Sequence, residues 1–594
     1  LAEGGAIKRS SLSFILGLVA SLALAIFAGR FWLKPFMIYG HSAFVDYLRQ
    51  LCFDLAIRDG VWYPRWIDEF YYGYGSPIFN FYAPFFYLFS EIFRLFGVSI
   101  LYSLNLARFT IFLVAGAGMY LLSRMYCSAF GAWAASLLFV FSNYFLANSY
   151  VRVASGELLA LAISPYLLLM LVRFLRKPSI SRMILFSLTF ALLIVSHNIS
   201  ALLWAIAVMA FGLWSAIWAR KLSFLRWTVL GFALALALSA FFWMPAFFER
   251  NMVHSEQSLT EGFFDYRKHF VYADQIWRDE WGYGISREGR KDTMSVSCGR
   301  ALLLVWLAGM GAVFIMARSK ADKSRESWFF ALGSVASFFM LFPISKWLWG
   351  LFPLFKFIQF PWRFYLIFIP LSVAVVSIGL GHIQKQRKTL AGILVAAIAL
   401  SVLISQSPRA TGYRAMLRVD NLEAVRVDPT RSYEQTGLVE PQKFFTIDKI
   451  PSLGVTTTAK DDYLPVWVEK KPARISDSFL EVTGGARATI LAQRHNYFKI
   501  LVESSDSSQL ALNVFYFPGW KAVRDGLINL VVKPEKVTGR LLVELEKGAY
   551  ELDVYFGSDS LRTVGWTLSA CALVFCVFTP ILSLVRRKSA HAGK

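Results

Sequence analysis

Cysteine is scarce. There are five in 594 residues, none in C-x-x-C spacing, so neither a zinc site nor a disulfide framework holds this chain together. Acidic residues are also few, 39 against 61 Lys and Arg, and charged residues make up only 17% of the chain. No Gly-rich phosphate loop, nucleotide-sugar acid pair or ATP motif is present. Chemistry here must therefore draw its energy from a substrate that arrives activated. Long internal repeats and low-complexity tracts are missing as well.

Apolar residues are abundant: 56% of the chain is hydrophobic and 16% aromatic. Apolar runs lie at about 11–29, 104–122, 130–147, 157–175, 183–196, 199–218, 227–247, 301–317, 328–342, 362–381, 389–405 and 563–585. Many approach the ~20 residues that span hydrocarbon, which excludes a soluble globular class. The first run has no convincing cleavage site after it and reads as a helix, not a signal peptide. A net charge of +22 suggests nucleic acid only until the charges are located. They sit in short loops between apolar runs, so no nucleic-acid partner is expected.

The basic residues also set an orientation. Lys8 and Arg9, the cluster Arg173, Arg176, Lys177 and Arg182, and Arg586, Arg587 and Lys588 fall on one side; the short turns at 148–156 and 197–198 on the other side carry only Arg152. Both termini are expected in the cytoplasm of a cell (inner or plasma) membrane. The polar loops 30–103 and 248–300, the aromatic segment 343–361 and the hydrophilic region 406–562 then face outside. Residues 81–97 contain Pro84, Ser90, Glu91 and Arg94 and read as a helix lying in the interface. Within 406–562, "LALNVFYF", "RLLVELEKG" and "YELDVYF" alternate as strands, with "PGW" and "DG" as turns, which predicts a β-sandwich.

Charged residues of the outer loops are the candidate site. On a helix from about Ser42 to Ile57, Asp46 and Arg49 stand one turn apart, as a surface ion pair or as a carboxylate placed for general-base work. Arg152 and Glu157 mark the mouth of an apolar helix, where an acid suits the helix dipole or a functional site. His197 and Asn198 form a polar turn. Asp265, Arg267 and Lys268 stand among aromatics, and Arg363 begins a span, where it snorkels or holds a phosphate. His254 and Glu256 could ligate a metal, though their spacing is not specific. Cys52 and Cys298 share the outer side and could form a bridge.

Longer motifs carry a resemblance. "GH" at 40–41, "DGVWYPRW" at 59–66, "GYGSPIFNFYAPFFY" at 73–87, "YVRVASGELLALAISPY" at 150–166, "SHNISALL" at 196–203, "FFDYRKHFVY" at 263–272, "WGYG" at 281–284 and "FIQFPWRF" at 357–364 resemble a bacterial and archaeal membrane family labelled 6-pyruvoyl-tetrahydropterin synthase-related. The architecture resembles GT-C glycosyltransferases, which use polyprenyl-phosphate sugars. "FYFPGWKAVRDG" at 515–526 is similar to the outer domain of relatives that glycosylate lipoteichoic acid. The closer group carries an acid directly after Gly-His and a His four residues on. Here those positions are Ser42 and Asp46, so either the acid works from one helical turn further along or the chemistry has changed.

The resemblance implies a polytopic α-helical fold of about 12 transmembrane helices, GT-C-like, with an extracytoplasmic β-sandwich. Its parts would be a membrane domain over 1–405, a β-rich domain over 406–562 and a last helix with its tail over 563–594. It implies transfer of a sugar from a polyprenyl-phosphate donor to a glycan, lipid or protein acceptor at the surface of membrane lipids. Asp46 would take the acceptor proton and Glu157 would be a second acid or metal ligand. Arg152, Arg267, Lys268 and Arg363 would hold the donor phosphate. His41, Trp62, Trp66, Tyr72, Tyr74, His197, Asn198 and Asp265 would line the substrate. No cofactor is called for by a strong ligand set; Mg²⁺ or Mn²⁺ is compatible with the acids. The other reading is a protein that moves or binds a lipid-linked glycan without chemistry, as a transporter, assembly factor or structural subunit. A transporter should place acids or broken helices at the midplane, whereas the ionisable residues here gather at span ends.

Overall fold

The computed structural model describes residues 2–34, 36–38, 40–277, 282, 284–318, 325–411, 415–418, 461 and 463–592. Among them, seven helices are long and apolar enough to cross a membrane, or ten if three bent pairs each count as one span. The expectation of about twelve is not reached on this measure. The runs at 183–196 and 389–405 fall on helices whose apolar parts, Ile180–Ser196 and Lys388–Val402, are shorter.

Two expected spans are broken, and a third bends sharply at its expected end. Ala129–Val140 meets Asn143–Tyr150 at 47°, Ser223–Leu238 meets Ala240–Phe248 at 83°, and Arg325–Phe339 meets Pro343–Leu351 at 97°. Pro343 lacks the N–H needed to continue the helix before it. Hydropathy registers composition, not chain direction, so it joins such pieces.

Burial ranks the helices. The most apolar stretch of Pro361–Gln386 is wholly buried, and that of Ser155–Arg176 is 83% buried; Ser11–Leu33 and Ser560–Ile581 reach only 22%. A helix that is apolar all round belongs at the centre of a bundle. The two central helices are also the ones that begin with Arg363 and Glu157.

The segment after the first span folds back onto the bundle. Its helix Ala43–Arg58 packs between span Ile100–Ser123 and the ten-residue helix Phe85–Arg94. Arg94 grips Asp54 through two 3.0 Å hydrogen bonds. Phe85 stacks on Phe89, which meets Phe93 edge to face, and Phe96 just beyond is 81% exposed. Ten residues cannot cross hydrocarbon, in keeping with the expected interfacial helix.

The C-terminal strands form two antiparallel sheets. One runs Ala486–Arg494, Tyr497–Ser504, Gly548–Phe556, Trp520–Arg524, Ile528–Leu530; the other runs Leu480–Thr483, Ser508–Phe515, Arg540–Leu545, Val532–Pro534. Alternate residues such as Phe498, Ile500, Val502, Leu541, Val543, Leu552 and Val554 are buried, as period-two strands require. Residues 419–460 of the expected β-rich region lie outside the described residues.

This domain is bolted to the loop beneath it. Trp66 is fully buried against Trp520, Phe517 and Phe556, and Phe515 N–H donates to the Tyr74 carbonyl at 2.7 Å. Deeper down, Arg562 of the last helix, fully buried, donates to Glu249 at 2.9 Å. Asn80 donates to the same carboxylate oxygen at 2.5 Å, and Arg65 bonds both Asn80 and the Phe241 carbonyl. All five cysteines are free, so the Cys52–Cys298 bridge is not formed.

Candidate active site at the mouth of the bundle

Two close backbone approaches build the site. Gly40 lies against segment 151–153, where a Cβ would stand 2.8 Å from the Val151 carbonyl. That contact lets His41 and Ser42 N–H donate to the Val151 and Arg152 carbonyls, both at 3.0 Å. Gly156 lies against the Ser196 carbonyl, at 2.7 Å from where its Cβ would be, which brings Glu157 beside His197. Between them Val153 has φ +50°, a left-handed conformation that a β-branched residue adopts only when its surroundings impose it.

Glu157 is the hub. Arg152 holds it at 2.6 and 3.2 Å, and Arg363 donates Nε–H at 3.0 Å. Tyr144 and Asn148 donate to it at 2.5 and 2.9 Å. His197 Nδ1 accepts from Ser200 N–H at 3.2 Å; this assigns the neutral ring's proton to Nε2, which lies 4.0 Å from Glu157. Burial pushes the His197 imidazole down to about 3, so it is neutral. One carboxylate thus faces two guanidiniums, leaving one positive charge in excess. Arg152 stacks on Trp362 at 4.5 Å. Arg152 and His197 are the partly exposed members, at 11% and 17%, whereas Glu157 is at 1%.

Asp46 belongs to a second knot, joined to the first through the 152–157 turn. Its Oδ1 accepts from Tyr87 at 2.8 Å; its Oδ2 accepts from Arg108 at 2.9 Å and Ser155 at 2.7 Å. Arg49 stands 4.0 Å away. Asp46 and Arg108 are each 2% exposed. A general base must reach the proton it takes; here both Asp46 oxygens are engaged and enclosed. Through Ser155 the carboxylate holds the start of the Glu157 helix in position.

Other expected site residues are placed differently. Asn198 donates to the Phe81 carbonyl and tethers the first loop; His41 Nε2 does the same against the Gly284 carbonyl at 2.8 Å. Trp66 is part of the domain dock and Trp62 is 84% exposed. Arg267 pairs with Asp265 at 2.8 Å and is 61% exposed, while Lys268 donates to the Gly262 carbonyl; neither bonds the Glu157 knot. Glu256 pairs with Lys356 at the surface. Tyr144, Asn148, Tyr87 and Arg108 were not anticipated. An Arg inside an apolar run was the available signal for the last.

Among the described residues, no three His, Cys, Asp or Glu side chains converge on a metal position. Glu157 and Asp46 each already hold a guanidinium at about 3 Å, with which Mg²⁺ or Mn²⁺ would compete for the carboxylate.

A third charge group lies where the β-domain meets the loop. The hairpin tip His495–Asn496, with Asn496 at φ +61°, donates its two backbone N–H groups to Asp59 at 2.9 Å and Asp68 at 2.8 Å. Burial raises the Glu69 carboxyl to about 7. Burial alone would lower His495, but Asp68 at 3.5 Å and Glu69 at 3.8 Å outweigh it and raise the imidazole. Both raised values mean that the folded state binds more protons than the unfolded one, so stability falls as pH rises through these pKa values. Melting temperature should drop as pH rises from about 4.5 through about 7, and Glu69→Gln should remove much of the drop, on the order of 3 kcal/mol. A flat profile in differential scanning fluorimetry would contradict this.

The model of the 6-pyruvoyl-tetrahydropterin synthase related domain, described as a membrane protein, matches residues 79–410, more than half of the chain. The chain belongs to this family. The match takes in Arg108, Arg152, Glu157, His197 and Arg363 and stops short of the β-sandwich. Two solved structures of arabinofuranosyltransferase AftD from Mycobacteria are similar over 68% of this chain, at 14% and 15% identity and TM-scores of 0.40 and 0.42. The oligosaccharyltransferase of Archaeoglobus fulgidus in its apo form is similar over 67%, at 14% identity and a TM-score of 0.38. The chain spans 27% and 28% of the AftD chains and 55% of the oligosaccharyltransferase. No curated protein matches it.

Proposed function

We propose that the chain is a GT-C-type membrane glycosyltransferase. It takes a sugar from a polyprenyl-phosphate donor at the extracytoplasmic face and passes it to a glycan, lipid or protein acceptor. The observation that carries this reading is the excess guanidinium at the mouth of the two central spans. A buried cation without its own anion is costly, and a lipid-borne phosphate supplies the anion at that depth. Arg152 and Arg363 present planar forks suited to phosphate oxygens, and Arg152 with His197 forms the open edge of the knot.

In the reaction, the bond between the sugar's anomeric carbon and the phosphate oxygen breaks, and its electron pair stays on the phosphate. The acceptor oxygen bonds to that carbon. The acceptor's proton passes to the released phosphate or to water, since neither Asp46 oxygen is open to it. Charge that grows on the leaving phosphate meets donors already in place, which is where electrostatic stabilisation is strongest. Glu157 keeps the two guanidiniums oriented.

The test is turnover of a polyprenyl-phosphate sugar by the purified protein in nanodiscs. Release of polyprenyl phosphate, reduced in Arg152→Ala and Glu157→Gln, is expected. Movement of the donor across a liposome membrane with no such release would reject the enzyme reading.

A further inference from the structure

The cleft between the first loop and the β-domain plays no part in the reaction above. It encloses about 530 Å³, inside the range of about 300–1,000 Å³ typical of ligand sites. Asp68, Glu69, Tyr72 and Tyr74 line one wall; Gln493 and Arg494 line the other, beside the hairpin tip.

Its chemistry is that of a sugar site. Tyrosine rings offer flat apolar faces with a polar edge. One oxygen of Asp68 is used by the hairpin N–H, and Glu69 has Cys52 beside it. Both carboxylates line the cleft and stay partly exposed, at 25% and 16%, so hydroxyl groups of a ligand can donate to them. Above about pH 7, where Glu69 ionises, the acids Asp59, Asp68 and Glu69 outnumber Arg494 and His495. A phosphate or uronate would meet like charge there, the opposite of the Glu157 knot.

We propose that this cleft binds a saccharide chain without anionic groups, neutral or amine-bearing. In the glycosyltransferase reading, on which only this role rests, that chain is the acceptor. Donor and acceptor sites are thereby sorted by sign of charge. Tyr72 stacks on a ring face, while the Asp68 and Glu69 carboxylates accept from hydroxyls.

The experiment uses the full chain in nanodiscs with no donor present. Soluble oligosaccharides of mannan, β-glucan and chitosan, with oligogalacturonate as the anionic member, are titrated by saturation-transfer NMR. Binding of at least one of the first three, and not of oligogalacturonate, is expected. Tyr72→Asn and Glu69→Gln should each weaken it about tenfold or more, a loss of about 1.4 kcal/mol. Tyr72 sits at φ +62°, where Asn is more at ease than Tyr, so a preserved melting temperature in Tyr72→Asn separates lost binding from misfolding. No binding by any neutral or amine-bearing member, preference for oligogalacturonate, or wild-type affinity in both variants would overturn the proposal. Donor hydrolysis to water, measured on the same samples, reports on the Glu157 knot separately. Its absence in wild type would count against the enzyme reading without touching saccharide binding.

Discussion

Arg363→Ala should lower release of polyprenyl phosphate by about 10²–10³-fold while leaving the fold intact, the cost of losing one preorganised donor to a developing anion. The fold should survive because Glu157 keeps Arg152 on both oxygens, with Tyr144 and Asn148 on Oε1. Arg363→Lys should recover only part of the rate. It restores the charge but not the fork that spans Glu157, the Ile358 carbonyl and Gln359 Oε1. Rates within twofold of wild type for Arg363→Ala, measured on nanodisc samples of equal melting temperature, would remove Arg363 from the proposed site.

The largest effect on stability is expected at Arg108. Arg108→Leu leaves Asp46 enclosed at 2% exposure with its nearest cation gone. Breaking one half of a buried pair costs about 3–5 kcal/mol. Adding Asp46→Asn should recover most of the loss, since an uncharged amide oxygen can still accept from Ser155 or Tyr87. A double variant no more stable than Arg108→Leu alone would mean that charge burial is not what holds this knot. The same pair of variants tests the positioning role: turnover should follow the return of stability and not the carboxylate itself.

Local features were legible in the sequence. The helix expected from about Ser42 to Ile57 is Ala43–Arg58, and Asp46 and Arg49 do stand one turn apart. "YELDVYF" and "RLLVEL" are strands, because alternation is a nearest-neighbour property. Arg152, Glu157, His197 and Arg363 were each suspicious as charges or polar turns at span ends, and they do meet, across 206 positions in the case of Glu157 and Arg363. What each residue does there was not legible. Asp46 looked like an exposed acid on an outer loop, because nothing local shows that this loop folds down onto Arg108 of a span. Trp66, His41 and Asn198 stood out as substrate contacts for the same reason; the sequence did not show the tethering contacts that they make. The bends inside 130–147 and 227–247 escaped because turns of 47° and 83° leave hydropathy unchanged.

The Glu249–Arg562 contact joins residues 313 positions apart. At a synthesis rate of roughly 5–20 residues per second, the acid emerges on the order of 15–60 s before its arginine does. Through that interval Asn80 and Arg65 of the first loop are its polar neighbours. The buried pair itself is completed only when the last helix arrives.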